Sequence, residues 1–233
     1  MLHKLIPVAG AGLLLGLALV SCSDRPVPEY RFTSEQLAWQ PYRVGDVLRF
    51  GPARSSKVRT FTVTEVDDRL ETHSQGGNAP VYLGPPSKSR TQAIDVRMRR
   101  TDTLRYVLSP TSTLAKPDTI PYMGTETLLG WNVFDEKRLS TQVYWEIGFS
   151  GTLPLNQLTD STIPPDTTLF LPTLRLGGIS YGPVVRLTNY LPLSPLPINY
   201  GRPRARPARL VYYAKGYGVV GFVEGSTLWY RLP

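Results

Sequence analysis

The sequence predicts an all-β protein: an antiparallel sandwich, a barrel or a strongly curved sheet, with at most one short N-terminal helix. Three observations carry this. Apolar and polar residues alternate with a period of two through much of the chain, as half-buried strands require. Helical periodicity is nearly absent. Finally, 22 prolines punctuate the 233 residues and break the apolar runs into short segments.

Taken in order, the first element is that helix, at 33–39 (TSEQLAW), with Thr33 or Ser34 capping its start. Residues 46–50 (DVLRF) and 57–66 (KVRTFTVTEV) read as paired strands joined by a GPARSS turn. At 93–99, Ile94, Val96 and Met98 alternate with Asp95, Arg97 and Arg99. Leu104, Tyr106 and Leu108 continue the pattern after a turn at Thr101-Asp102. The clearest strand is 142–149 (QVYWEIGF). It sends Val143, Trp145, Ile147 and Phe149 to a core, and Tyr144, Glu146 and Gly148 to the other side. Further strands are expected at 167–176 and 179–190. The closing segment holds three more, at 210–214, 218–223 and 227–232, with Glu224-Gly225 as a tight turn. No internal repeat marks a propeller, and one domain over 33–233 is expected.

The first residues decide the address. MLHK supplies a short positive start and 5–20 an apolar run of 16 residues. In a helix that run spans roughly 24 Å, short of the ~20 residues a bilayer needs, and Pro7, Gly10, Gly12 and Gly16 weaken it further. It reads as a signal peptide over 1–21. Leu19-Val20-Ser21-Cys22 resembles the lipobox of bacterial lipoproteins, with an aliphatic residue at −3, a small one at −1 and cysteine at +1. The resemblance implies cleavage between Ser21 and Cys22, a diacylglycerol group on the Cys22 sulfur and acylation of the new amino group. Two or three chains hold a protein at a membrane where one does not. Ser23, in place of aspartate at +2, implies delivery to the outer membrane. Residues 22–32, polar and proline-bearing, are expected to be the lipidated tether. Cys22 is the only cysteine, so no intramolecular disulfide forms.

Composition narrows the chemistry. Without residues 1–21 the formal charge falls from +8 to about +7, which favours anionic surfaces. Nucleic acid is not an expected partner, because no recognition pattern accompanies the arginines. Beyond the leader there is one histidine, His73, in the polar stretch ETHSQGGN read as a loop. Zinc sites built from several Cys or His ligands are excluded, and no metal or cofactor is expected. No GxSxG, GxGxxG or phosphate-binding loop appears.

Four patterns are candidates for binding or modification. Arg202, Arg204, Arg206 and Arg209 place four cations among prolines with no acid between them, and guanidinium groups pair well with planar oxyanions. Against this stands a stiff, soluble connection. The ending VYYAKGYGVVGFVEGSTLWYRL resembles the closing hairpins of uncharacterised bacterial envelope lipoproteins, which implies kinship of fold and no activity. Its Tyr212, Tyr213, Tyr217, Trp229 and Tyr230 offer either a stacking platform or ordinary core. Asp67-Asp68, Asp135-Glu136 and Glu146 are the clustered or oddly placed acids, to be weighed as a glycosidase pair or as solvated turns. Thr103, Thr119, Ser161 and Thr167 follow aspartates in triplets resembling an O-glycosylation acceptor motif of envelope-secreting bacteria.

Three functions follow, in this order. The first is a non-catalytic envelope lipoprotein that binds or scaffolds an envelope glycan or protein while its acyl chains hold a membrane. The second is a carrier of lipid or another hydrophobe within a curved sheet. The third is an enzyme acting on polysaccharide through acids such as Asp135, Glu136 or Glu146.

Overall fold

The computed structural model describes residues 26–53, 55–75, 87–101, 125–146, 149–159, 169–189 and 208–233. Residues 1–21, Cys22, the strand expected at 104–108, Thr103, Thr119, Ser161, Thr167, Arg202, Arg204 and Arg206 lie outside them.

The protein is mostly antiparallel β-structure. Its strands are β1 (Glu29–Tyr30), β2 (Val47–Pro52), β3 (Arg59–Gln75), β4 (Ser87–Arg100), β5 (Thr125–Val133), β6 (Leu139–Trp145) and β7 (Phe149–Thr152). They continue with β8 (Phe170–Leu171), β9 (Leu174–Leu176), β10 (Ile179–Tyr181), β11 (Val184–Thr188), β12 (Ala208–Ala214), β13 (Gly218–Glu224) and β14 (Thr227–Arg231). One continuous ladder runs β7-β6-β5-β4-β3-β2-β14-β13-β12-β11-β8, with β1 beside β4. Two meanders are therefore joined where β14 pairs with β2, Tyr230 opposite Gly51. The hairpin β9–β10 forms a separate two-stranded sheet.

The ladder curls strongly into a half-barrel. Its ends approach closely: Ser150 N–H on β7 donates to the Asn189 side chain just past β11 at 3.2 Å. Gly151 makes the approach feasible, because a Cβ there would sit 3.2 Å from Leu187 Cβ. The curl encloses an aromatic core. Trp145 packs 5.1 Å from Phe50, 4.9 Å from Phe61 and 5.2 Å from Phe222, centroid to centroid, so β6, β2, β3 and β13 meet inside. Trp229 stacks on Phe222 at 5.8 Å. Each of these side chains removes ~150–250 Å² from water, which makes the cluster the main favourable term in the fold.

A smaller second core lies on the outer face. Leu176 and Tyr181 from the β9–β10 hairpin pack with Val184, Ala214 and Val220. β13 is thus covered on both sides, and Gly218 to Val223 are all buried. Its near-continuous apolar sequence has the composition expected of a strand buried on two faces.

The N-terminal segment is built into this frame. Helix α1 (Ser34–Leu37) starts at Thr33 with a reciprocal capping box to Gln36, as the sequence indicated. Ala38 O then accepts from Gly216 N–H at 3.0 Å, and Trp39 O from the Tyr213 hydroxyl at 2.7 Å. Tyr42 Oη accepts from Val219 N–H at 2.7 Å. Gly218 is required beside it: its φ is +74°, and a Cβ would overlap the Tyr42 hydroxyl. The fold also takes up Glu29–Tyr30 and buries Phe32, so part of the expected tether belongs to the domain. A second helix, α2 (Leu155–Thr159), is a single turn after Pro154, anchored by buried Leu155.

Several expectations of local structure are corrected. The strand expected at 142–149 is two strands, β6 and β7, with Trp145 paired to Phe149 in the ladder; Ile147 and Gly148 lie outside the described residues. Val143, Trp145 and Phe149 are buried as expected, but Glu146 adopts φ +44° and turns to a buried ionic cluster rather than to solvent. The strand expected at 57–66 runs on to Gln75, which places His73 in β3 opposite Ser89 rather than in a loop. The long strands expected at 167–176 and 179–190 are four short ones, interrupted at Pro172, Gly177-Gly178 and Gly182-Pro183.

Candidate functional site

The densest polar chemistry sits where β3 begins and β4, β6 and β13 end. Arg59 lies on the inward face of β3, two residues from Phe61, and reaches two acids at once. Its Nη1 donates to Glu146 at 2.9 Å and its Nη2 to Glu224 at 2.6 Å. Arg100, opposite Phe61 in the ladder, donates to the other Glu146 oxygen at 2.7 Å. The guanidinium carbon of Arg59 lies 4.1 Å from the Trp229 ring centroid, and that of Arg100 lies 5.7 Å from Phe61. These four side chains are between 9% and 20% exposed, so water screens them little.

Burial pushes the Glu146 carboxyl up, against the opposing pull of Arg59 and Arg100. A left-handed backbone at a non-glycine residue costs about 1–2 kcal/mol. The two ion pairs hold Glu146 there. Both its oxygens are committed, and Glu224 shares the same arginine. The arrangement closes one end of the aromatic core with a neutral Arg–Glu network, and it binds these carboxylates rather than presenting them as free acids.

Of the remaining candidate acids, Asp135, Asp67 and Asp68 are also engaged, whereas Glu136 is exposed. Asp135 accepts from Lys137 N–H and Arg138 N–H at 2.9 Å each, and pairs with the Arg138 guanidinium. The Lys137 backbone and the Arg138 side chain hold its carboxyl below the usual carboxylate range. Asp67 pairs with Arg69 at 2.7 Å, and Asp95 and Glu71 reach the same guanidinium at 2.7 and 2.8 Å. Asp68 accepts from Gln92 at 2.7 Å, and Gln92 in turn accepts from Phe32 N–H at 2.9 Å. This second, partly exposed network lies along the outer part of the β3–β4 hairpin. His73 Nε2 is there too, 3.5 Å from Glu71.

The aromatic residues near the C-terminus do not form one platform. Tyr213 and Trp229 point into the main core, whereas Tyr212 and Tyr230 pack in the outer one. Tyr217 alone of the five is exposed, at 47%, edge-on to Tyr181. Arg209, the described member of the arginine series, is exposed on β12. Among the described residues no three His, Cys, Asp or Glu side chains cluster as metal ligands, and no helix is long and apolar enough to cross a membrane.

Sequence reasoning singled out Glu146 and missed Arg59, Arg100 and Glu224. One signal was present: Arg59 and Arg100 each fall in phase with inward-facing residues of an alternating strand, Phe61 and Met98. A cation on a core face calls for a buried acid. Comparison with protein-family models, with curated proteins and with solved structures finds no match.

Proposed function

We propose that the protein is a lipid-anchored module of the bacterial cell envelope: it works through its outer surface as a binding or scaffolding unit and carries out no reaction. The observation that carries this reading is the interior. Trp145, Phe50, Phe61 and Phe222 fill the concavity of the sheet, at the place where a carrier would hold an acyl chain. The Arg59–Glu146–Arg100 network closes one end of that core, and Asp135 is bound into a turn; the engagement of these two acids supports the non-catalytic reading over a polysaccharide hydrolase built on them. The lipobox at Leu19-Val20-Ser21-Cys22 supplies the anchor, and transfer to the outer membrane follows from Ser23.

Anchoring is tested by intact mass and membrane flotation. The wild-type chain carries acyl groups and floats with membranes, whereas Cys22→Ser stays unprocessed or soluble. A Cys22→Ser chain that loses its leader and still floats as well as wild type overturns the reading. The surface role is tested by organic extraction of the Cys22→Ser chain, which releases no stoichiometric lipid. Crosslinking in intact cells then traps an envelope glycan or protein partner.

A further inference from the structure

We infer that the protein lays the outer end of its β3–β4 hairpin, with Lys88, Arg90 and Arg31, against anionic phospholipid headgroups. The inference rests on the acylation of Cys22 proposed above and adds an orientation to it. Among the described residues the chain is first gripped at Pro28, whose carbonyl accepts from Arg90 N–H at 2.8 Å. Glu29 and Tyr30 then pair with Arg90 and Thr91 in parallel, and Phe32 packs 5.7 Å from Trp131. Six residue steps separate Cys22 from Pro28, and fully extended they reach about 21 Å.

The hairpin is longer than that leash. Ser74 faces Lys88 at one end and Phe61 faces Arg100 at the other. The ten steps from Arg90 to Arg100 alone span about 33 Å at the strand rise. An acylated Cys22 therefore holds the Lys88 end close to the lipid, and the leash is too short to let the Arg59–Glu146–Arg100 end face the membrane.

Charge at the entry point favours the same contact. Arg31 and Arg90 share one acid, Glu29, at 2.6 and 3.1 Å. Lys88 is exposed and has no ion pair among the described residues. With Glu29 and Glu71 set against Arg31, Arg69, Lys88 and Arg90, this end keeps a positive balance, and a headgroup layer in contact with it lies within a Debye length, ~8–10 Å, while Asp67, Asp68 and Asp95 sit further along the hairpin. Val27, 43% exposed, adds an apolar side chain at the same place.

The test uses the full acylated chain in vesicles of phosphatidylethanolamine and phosphatidylglycerol carrying a nitroxide headgroup quencher. Ser89→Cys and Lys57→Cys variants each carry a fluorophore, because the Cys22 sulfur is already acylated. Quenching at position 89 is expected to be several-fold stronger than at position 57. Adding Lys88→Glu to the Ser89→Cys chain is expected to weaken it. Equal quenching at both positions, or stronger quenching at 57, in a chain that floats with the vesicles overturns the orientation and leaves the anchoring reading standing. A chain whose mass lacks acyl groups overturns both. Quenching at 89 that Lys88→Glu leaves unchanged overturns the part assigned to charge.

Discussion

Replacing Glu146 by alanine tests the ionic closure of the core most directly. The substitution leaves Arg100, 9% exposed, without its Glu146 acceptor, and takes one of two acids from Arg59, 14% exposed. Removing one partner of a buried ion pair costs about 3–5 kcal/mol, because the other charge stays buried. Arg59 keeps Glu224 at 2.6 Å and the Trp229 face, which places the expected loss at the lower end, about 3 kcal/mol. In a domain of this size each kcal/mol shifts Tm by about 2–4 °C, so a fall of roughly 6–12 °C follows. Urea titration followed by tryptophan fluorescence measures it, since Trp145 adjoins the site. A paired Arg100→Ala variant completes a cycle, with the double substitution costing at least ~1 kcal/mol less than the sum of the singles. A loss below about 1 kcal/mol, or strict additivity, would refute the claim that Glu146 is held by its arginines.

Other outcomes are expected elsewhere in the chain. Tyr42→Phe leaves Val219 N–H buried without its acceptor and should cost about 1–3 kcal/mol in the same titration. Burial holds the Tyr42 and Tyr213 hydroxyls well above the ordinary tyrosine range, so their contribution is fully present below about pH 10 and is lost as pH rises further. Stability measured from pH 8 to 11.5 should fall on the alkaline side, less steeply in Tyr42→Phe. Trp145→Ala opens a cavity among three phenylalanine rings and should cost about 3–5 kcal/mol or abolish folding. Arg69→Ala should change stability by no more than about 1 kcal/mol, although it removes three ion pairs, because those partners are well exposed and screened.

Comparing those two arginines shows what could be read in advance. Elements with a one-sided apolar face were legible: Val143 and Trp145, the Thr33 cap, and the closing strands with their Glu224-Gly225 turn. The outer half of β3 was not, because EVDDRLETHS lacks apolar alternation. It is a strand because Asp67, Arg69 and Asp95 satisfy one another along and across the ladder, and such pairing leaves no hydrophobic period. Pro172 and the Gly182-Pro183 step were visible as strand breakers, yet the alternating residues around them suggested longer strands. The buried network drew on residues up to 165 positions apart, which no local pattern connects. Glu146 was placed on the outer face because a continuous strand was assumed. A turn at that residue reverses the direction of the side chain, and the preference of a turn for an acid at φ +44° is not written in the neighbouring sequence.

The pairing of β14 with β2 has a consequence for how the protein is held together. The strand that joins the two meanders is supplied by residues 227–231. Without it, β2 and β13 would each present a bare edge, and the aromatic core would lack Trp229. Loss of β14 would unzip the molecule along its middle rather than fray its margin.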